Sequence, residues 1–289
     1  MKKWGIFLFL GVCLFFTFSY ISKGNENKVE IITFELEKDM QENSNAILRK
    51  LEITKEQIYQ GNLLLVNNEY PVYPESIPSD MINLSQHNDY TQGYALLGND
   101  IYLSEEITQN LAKLITAVRE DGLHNFAITS GFRSFDEQNV LYQQMGSDYA
   151  LPAGYSEHNL GLALDVGSTQ MKMENAPEGK WIEKNAWKFG FILRYPKDKT
   201  NITGIQYEPW HIRYVGLPHS LIMQEKNLVL EEYVDYLKQE KKITAKIDGE
   251  QYTITYYPVT ESIQIEIPED KHYEISGDNI GGIILTVYE

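Results

Sequence analysis

Apolar residues fall along the chain with two spacings, and each predicts its own kind of element. Ile107, Leu111, Leu114, Ile115 and Val118 recur at helical intervals after Ser104-Glu105-Glu106, predicting an amphipathic helix that closes at Gly122. A second helix is expected from Ser134, where Glu137 completes a capping box, to Gly146. Trp181 to Lys188, stopped by Gly190, and the stretch from about Pro218 to Lys241 also read as helical. Short apolar runs at 126–128, 161–166, 191–195 and, after Pro209, 210–215 read as strands, as does 61–67 ahead of the turns at Pro71, Pro74 and Pro78. Near the C-terminus, runs at 243–247, 252–257, 263–267 and 283–287 are broken at Asp248-Gly249 and Gly281-Gly282 and predict a small β-module. Helices and strands mix without a strict βαβ rhythm, so the fold class expected is α+β, a small antiparallel sheet flanked by helices.

The N-terminus follows a different pattern. Lys2 and Lys3 precede an uncharged run from Trp4 to Ile21, about the ~18 residues at which a membrane span becomes feasible. Ser19-Tyr20-Ile21 lacks a small-x-small cleavage pattern, and Leu10-Gly11-Val12-Cys13 is a poor lipoprotein site. The expectation is an uncleaved, single-pass transmembrane helix with the folded body on the extracytoplasmic side of the cell membrane. The polar, acidic stretch that follows reads as a stalk with a local helix near residues 40–51. The resulting organisation is an anchor over 1–22, a stalk over 23–57, a principal domain over 58–241 and the β-module over 242–289.

Charge and cysteine content narrow the chemistry. The 289 residues carry 25 Lys+Arg against 41 Asp+Glu, a net charge of −16, which argues against a protein that tracks nucleic-acid phosphates. The one cysteine, Cys13, lies in the N-terminal apolar run, so an intrachain disulfide and a cysteine-ligated metal are both excluded. Any metal must be held by His, Asp or Glu.

Two of the six histidines sit among chemical partners: His158, followed at six intervening residues by Asp165, and His211, in Glu208-Pro209-Trp210-His211. His158, Asp165 and His211 can supply the three nitrogen and oxygen ligands of a catalytic zinc site, leaving a fourth position open. A carboxylate is then needed to accept the proton of water and pass it on. Glu208 is the candidate, provided Pro209 bends the chain, since Glu208 and His211 would face opposite ways on a regular strand. Glu157 is the weaker rival. The same spacings also suit structural His–Asp hydrogen bonds.

Thr129-Ser130-Gly131-Phe132-Arg133-Ser134 follows a strand and opens a helix, a setting in which Arg133 can bind a carboxylate bidentately; a solvated surface arginine is the alternative. Gln138 and Ser156 are candidates for further polar contacts, although a serine at 156 suits a turn equally well. Trp181 and Trp187 read as core, and Trp210 as touching the site. His87, His124, His219 and His272 lack spaced ligands and read as non-functional.

Ser-x-His-x6-Asp, then Glu-x-x-His, preceded by Ser130-Gly131-Phe132-Arg133-Ser134, resembles the VanY-type zinc D-alanyl-D-alanine carboxypeptidases, in a superfamily with lysostaphin-type peptidases and the zinc domain of hedgehog proteins. The resemblance runs from about Tyr59 to the C-terminus and includes Tyr59–Leu64, Leu151–His158, Gly190–Pro196 and Tyr207–Gly216. Phe132 stands where relatives often have Tyr. The resemblance implies Zn²⁺ held by His158, Asp165 and His211, with Glu208 as catalytic base. It implies Arg133, Gln138 and Ser156 at the positions that contact the substrate's terminal residues, with Arg133 also helping to hold the oxyanion. The implied substrate is a peptidoglycan precursor stem ending in D-Ala-D-Ala, and the implied role is glycopeptide (vancomycin) resistance. The alternatives are the same zinc chemistry on another wall bond, as an L,D-carboxypeptidase or endopeptidase, or a non-catalytic hedgehog-like binding module.

Overall fold

The computed structural model describes residues 29–33, 47–98, 100–146 and 150–289. The expected transmembrane helix, residues 1–22, lies outside them. Among the described residues no helix is long and apolar enough to cross a membrane.

The site is carried by a five-stranded sheet of the short strands Ala95–Leu96, Phe126–Ser130, Ala163–Ser168, His211–Tyr214 and Phe191–Leu193, in that spatial order. Ala95–Leu96 pairs parallel with its neighbour and the other pairings are antiparallel, so the sheet is mixed rather than purely antiparallel. The predicted first helix spans Glu105–Glu120, and its five apolar positions are at most 1% exposed. Burial of each such side chain contributes roughly 1.5–3 kcal/mol. They pack with Phe126, Ile128, Leu164, Val166 and Ile212 of the sheet, and with Leu162 just before its third strand, in one core cluster. The second helix, Phe135–Met145, has the predicted box: the Glu137 backbone N–H donates to Ser134 Oγ at 3.2 Å, and the Ser134 N–H donates back to Glu137 Oε2 at 2.7 Å. Helix Pro177–Asn185 runs into a short 3-10 turn that ends at Gly190, whose φ of +83° requires the left-handed region glycine favours.

Several sequence expectations are corrected. The run 61–67 is buried at Leu63–Val66 but is not a strand; its backbone is satisfied by distant groups, with Leu63 N–H donating to Ser276 Oγ at 2.8 Å and Leu65 N–H to the Asp278 carbonyl at 3.2 Å. The stretch 218–241 is two helices, His219–Lys226 and Leu230–Glu240, parted at Asn227, which adopts a left-handed conformation. Of the expected stalk and its local helix, residues 23–28 and 34–46 lie outside the described residues, and the described remainder is not a free linker. Val29–Thr33 is a strand paired with Lys242–Ile247, and Leu48–Ile53 is a strand paired with Ile263–Pro268. The C-terminal β-module is thus completed by strands from near the other end of the chain. It also contains His272–Gly277, whose polar composition concealed it from the sequence pattern. Its main sheet runs Val29–Thr33, Lys242–Ile247, Glu250–Pro258, Gly282–Tyr288, His272–Gly277. The last two helices pack on this sheet in a second core cluster that includes Leu221, Tyr233, Leu237, Ile243, Ile254 and Ile284.

Candidate metal centre

Asp165 and His211 are direct cross-strand partners on adjacent antiparallel strands, so their side chains stand on one face of the sheet. His158 comes from the 3-10 turn Glu157–Asn159 that leads into the Asp165 strand; Ser156 caps this turn, its Oγ accepting the His158 backbone N–H at 3.3 Å. The ligating atoms of His158, Asp165 and His211 all lie within 4.8 Å of one another. His158 Nε2 is 3.3 Å from Asp165 Oδ2, and His211 Nδ1 is 3.0 Å from Asp165 Oδ1.

The other ring nitrogens are occupied from behind. His158 Nδ1 lies 2.7 Å from the Gly131 carbonyl oxygen, and His211 Nε2 lies 3.4 Å from Glu157 Oε2. Each ring therefore turns its remaining nitrogen, Nε2 of His158 and Nδ1 of His211, toward Asp165, which is how outer contacts orient metal-binding imidazoles. Glycine at 131 lets this segment pass close to the Tyr102 backbone, where a Cβ would run into the carbonyl oxygen. Two neutral-type nitrogens and a carboxylate, converging with no cysteine among them, fit a zinc ion.

The electrostatics agree with a cation. Burial would lower the His211 pKa, but hydrogen bonds to Asp165 and Glu157 outweigh it and raise the ring to about 9 in the absence of metal. Burial lowers His158, the attraction of Asp165 notwithstanding. Burial would also raise Asp165, but the two histidines hold it well below the usual carboxylate range.

Glu208 and Pro209 form the turn expected of them. The His211 N–H donates to the Glu208 carbonyl at 3.2 Å, which folds the chain so that Glu208 Oε2 lies 3.9 Å from His211 Nδ1, on the metal side of the ring. Burial raises the Glu208 pKa. Glu157, the rival base, is otherwise engaged: it is 1% exposed, and Arg194 Nε and Arg213 Nη1 both donate to its Oε1, at 2.8 and 2.7 Å. Those arginines outweigh the cost of burial and hold the Glu157 carboxyl far below the usual range. A carboxylate so clamped is a poor proton acceptor.

Arg133 stands beside Asp165, with Nη2 at 3.3 Å from Asp165 Oδ2. It is held by Ser130 Oγ, which accepts from Nε at 3.2 Å and Nη2 at 3.0 Å, and by Gln138 Oε1, which accepts from Nη1 at 3.1 Å. A register irregularity between Ile128 and Ser130 lies just before this loop, the kind of bulge that re-aims a side chain. Gln138 is buried, and its Nε2 donates to the Leu151 carbonyl at 2.7 Å. Gln138 thus ties Arg133 to the Leu151 carbonyl, and Ser156 caps the turn that carries His158. Trp210 is 40% exposed beside His211, whereas Trp181 is buried with its Nε1–H donated to Asp121. Ser130, Arg194 and Arg213 had no role in the sequence reading. Their partners lie up to 151 residues away, and nothing in the linear spacing signals them.

Three ligands of these types with a carboxylate at hand describe the chemistry of a metal-dependent hydrolase. A family model described as VanY, D-alanyl-D-alanine carboxypeptidase, matches residues 100–217. A D-alanyl-D-alanine carboxypeptidase of Enterococcus faecium is 56% identical over 293 aligned positions, covering 100% of this chain and 97% of that protein. Among solved structures, the vancomycin-resistance D,D-dipeptidase VanXYg, in complex with a D-Ala-D-Ala phosphinate analogue, is 31% identical with a TM-score of 0.74, covering 84% of this chain and 100% of that one. The L,D-carboxypeptidase LdcB is 33% identical with a TM-score of 0.52, covering 63% of this chain and 87% of that one. The chain belongs to the VanY family of D-alanyl-D-alanine carboxypeptidases.

Proposed function

We propose that this protein is a zinc-dependent D,D-carboxypeptidase that hydrolyses the terminal D-Ala from peptidoglycan stem peptides ending in D-Ala-D-Ala. The observation that carries the reading is the convergence of His158, Asp165 and His211 within 4.8 Å, with Glu208 on the same side of His211. The relatives support the substrate: the full-length enterococcal match is named for D-Ala-D-Ala carboxypeptidase activity, and VanXYg was crystallised with a D-Ala-D-Ala analogue. A role in glycopeptide resistance follows, because removal of the terminal D-Ala destroys the D-Ala-D-Ala end that such antibiotics bind.

His158 Nε2, His211 Nδ1 and the Asp165 carboxylate would hold the zinc ion, which would supply Lewis-acid chemistry at the scissile carbonyl and lower the pKa of water toward ~7. Glu208 takes the proton of the attacking water and delivers it to the departing amine of the terminal D-Ala. Arg133, fixed by Ser130 and Gln138, pairs with the terminal carboxylate of the substrate and lends positive charge near the developing oxyanion. Gln138 and Ser156 contact the terminal residues of the substrate, and Trp210 forms part of the exposed rim of the site. The paired lysines before the apolar run 4–21 support a single-pass anchor in the cell membrane with the enzyme outside, where the wall substrate is.

The likeness to LdcB favours a second reading, an L,D-carboxypeptidase acting on the shorter tetrapeptide stem. Release of D-alanine from defined pentapeptide and tetrapeptide stems, with chelator and zinc restoration, separates the two. Metal-dependent release from the pentapeptide is expected; release from the tetrapeptide alone would replace the D,D reading with the L,D one.

A further inference from the structure

Glu157 begins a line of buried contacts that leaves the metal centre by two routes. Its Oε1 accepts from Arg194 Nε at 2.8 Å and from Arg213 Nη1 at 2.7 Å, while its Oε2 faces His211 Nε2 at 3.4 Å. Arg194 is fully buried and is gripped on its far side by Glu231 of the helix Leu230–Glu240, with bonds of 2.8 Å from Nη1 and 2.6 Å from Nη2. Arg213, also fully buried, donates through Nη2 to the carbonyls of Asn62 at 3.1 Å and Leu64 at 2.9 Å. That segment is in turn tied to the C-terminal module: Ser276 Oγ accepts the Leu63 N–H, and Asn279 Nδ2 donates to the Leu65 carbonyl at 2.9 Å.

We propose that Glu157 is a positioning residue for His211, and that Arg194 with Glu231 and Arg213 with the 62–65 backbone are two struts that dictate which Glu157 oxygen meets the ring. Both guanidinium groups claim the same oxygen, so the other is left for the imidazole. A carboxylate behind a ligating histidine fixes the ring's orientation and raises its basicity, and loss of such contacts typically weakens metal binding about 10–100-fold. Glu231 has a matching task. One carboxylate between two buried arginines leaves an excess positive charge, which the bidentate Glu231 neutralises. The last helix and the C-terminal module thereby form part of the frame of the metal site, a role distinct from holding wall or covering the domain.

The inference rests on the zinc reading of the site proposed above, and its test is read without substrate. Zinc affinity of the full-length chain is measured by competition with a chromophoric chelator, alongside the visible spectrum of the Co²⁺ form. Glu157→Gln is expected to weaken zinc binding about 10–100-fold and to shift the cobalt bands, and Glu231→Gln to weaken it about 3–10-fold in the same direction. Glu232→Gln is the control. It lies on the same helix as Glu231, but its carboxylate pairs with Lys199 at 2.9 Å rather than with the arginines on Glu157, and glutamine can keep the bond to the Val229 N–H. Wild-type affinity and spectrum in Glu157→Gln overturn the proposal; should that variant fail to fold, the same result in Glu231→Gln does so. A wild-type chain that binds zinc but releases no D-alanine breaks the proposed function and leaves this inference intact, whereas a chain that binds neither metal overturns both.

Discussion

The surroundings of His211 and His219 differ sharply although the two rings are equally buried, each 4% exposed and eight residues apart. Around His211 both nitrogens meet carboxylates, Asp165 at 3.0 Å and Glu157 at 3.4 Å. Around His219 both meet hydroxyls, Tyr233 at 2.7 Å and Thr286 at 3.0 Å. Burial opposes charge in both places, but the carboxylates overcome it and raise His211 to about 9, while at His219 burial goes unanswered and the ring falls to about 3. Partners rather than depth thus distinguish a cation site from a structural histidine. Carboxylates around a buried ring favour positive charge there.

The contrast can be broken most forcefully at the ligand. His211→Gln is expected to abolish D-alanine release, by ~10⁴-fold or more, because Lewis-acid activation of the carbonyl and of water is lost together; steady-state turnover on a pentapeptide checks it, and retained turnover would refute the ligand assignment. Glu208→Gln should lower kcat by about 10³-fold, within the usual range for a general base, while zinc content stays at the wild-type level by metal analysis. The acid limb of the rate profile should belong to the same group. Activity is present when Glu208 is ionised and falls as the pH drops through its pKa, which burial raises, so the variant's residual rate should lose that limb. Arg133→Lys keeps the charge but gives up the fork, and KM for the stem peptide should rise roughly 10–100-fold, with kcat less affected.

The smallest kinetic effect is expected at His219. His219→Gln should leave kcat/KM unchanged and should instead alter the dependence of stability on pH. The folded ring has a pKa of about 3 against 6.5 for the free side chain, so the unfolded chain binds more protons between those values. Its contribution is complete above about 6.5 and is lost as the pH falls toward 3, at up to roughly 1.4 kcal/mol per pH unit. Urea denaturation of the metal-free protein across that window should show a shallower slope in the variant. An unchanged slope would mean that His219 does not carry the difference.

Much of the candidate centre was legible in the linear sequence because the candidate ligands sit in short, spaced clusters, and because a proline between Glu208 and His211 implies a turn. The outer contacts were not legible. Glu157 read as a second-choice base because its arginine partners lie 37 and 56 residues away, and an acidic residue next to a candidate ligand gives no sign of being clamped. His219 read only as a histidine without spaced ligands, and its buried partners, a tyrosine 14 residues on and a threonine 67 residues on, gave no linear signal. Long amphipathic helices were foreseeable from their period. The strands Val29–Thr33 and Leu48–Ile53 were concealed, since the latter exposes most of its residues and gains its place by pairing with Ile263–Pro268. Residues 61–67 show the opposite error: an apolar run looks like a strand even where its amides bond to side chains and loops across the molecule.

That pairing of early with late sequence has a consequence for how the protein comes into being. Leu63 waits for Ser276, 213 residues downstream, and Val29–Thr33 has no strand beside it until Lys242–Ile247 has been made. Contacts of such wide separation form late. A nascent chain that has emerged as far as His211 already holds every ligand, yet the backbone that steadies Arg213 is not fastened until the final strands arrive. Synthesis itself therefore acts as a timer, and a truncated product would be released with its metal site unbraced rather than as a working fragment.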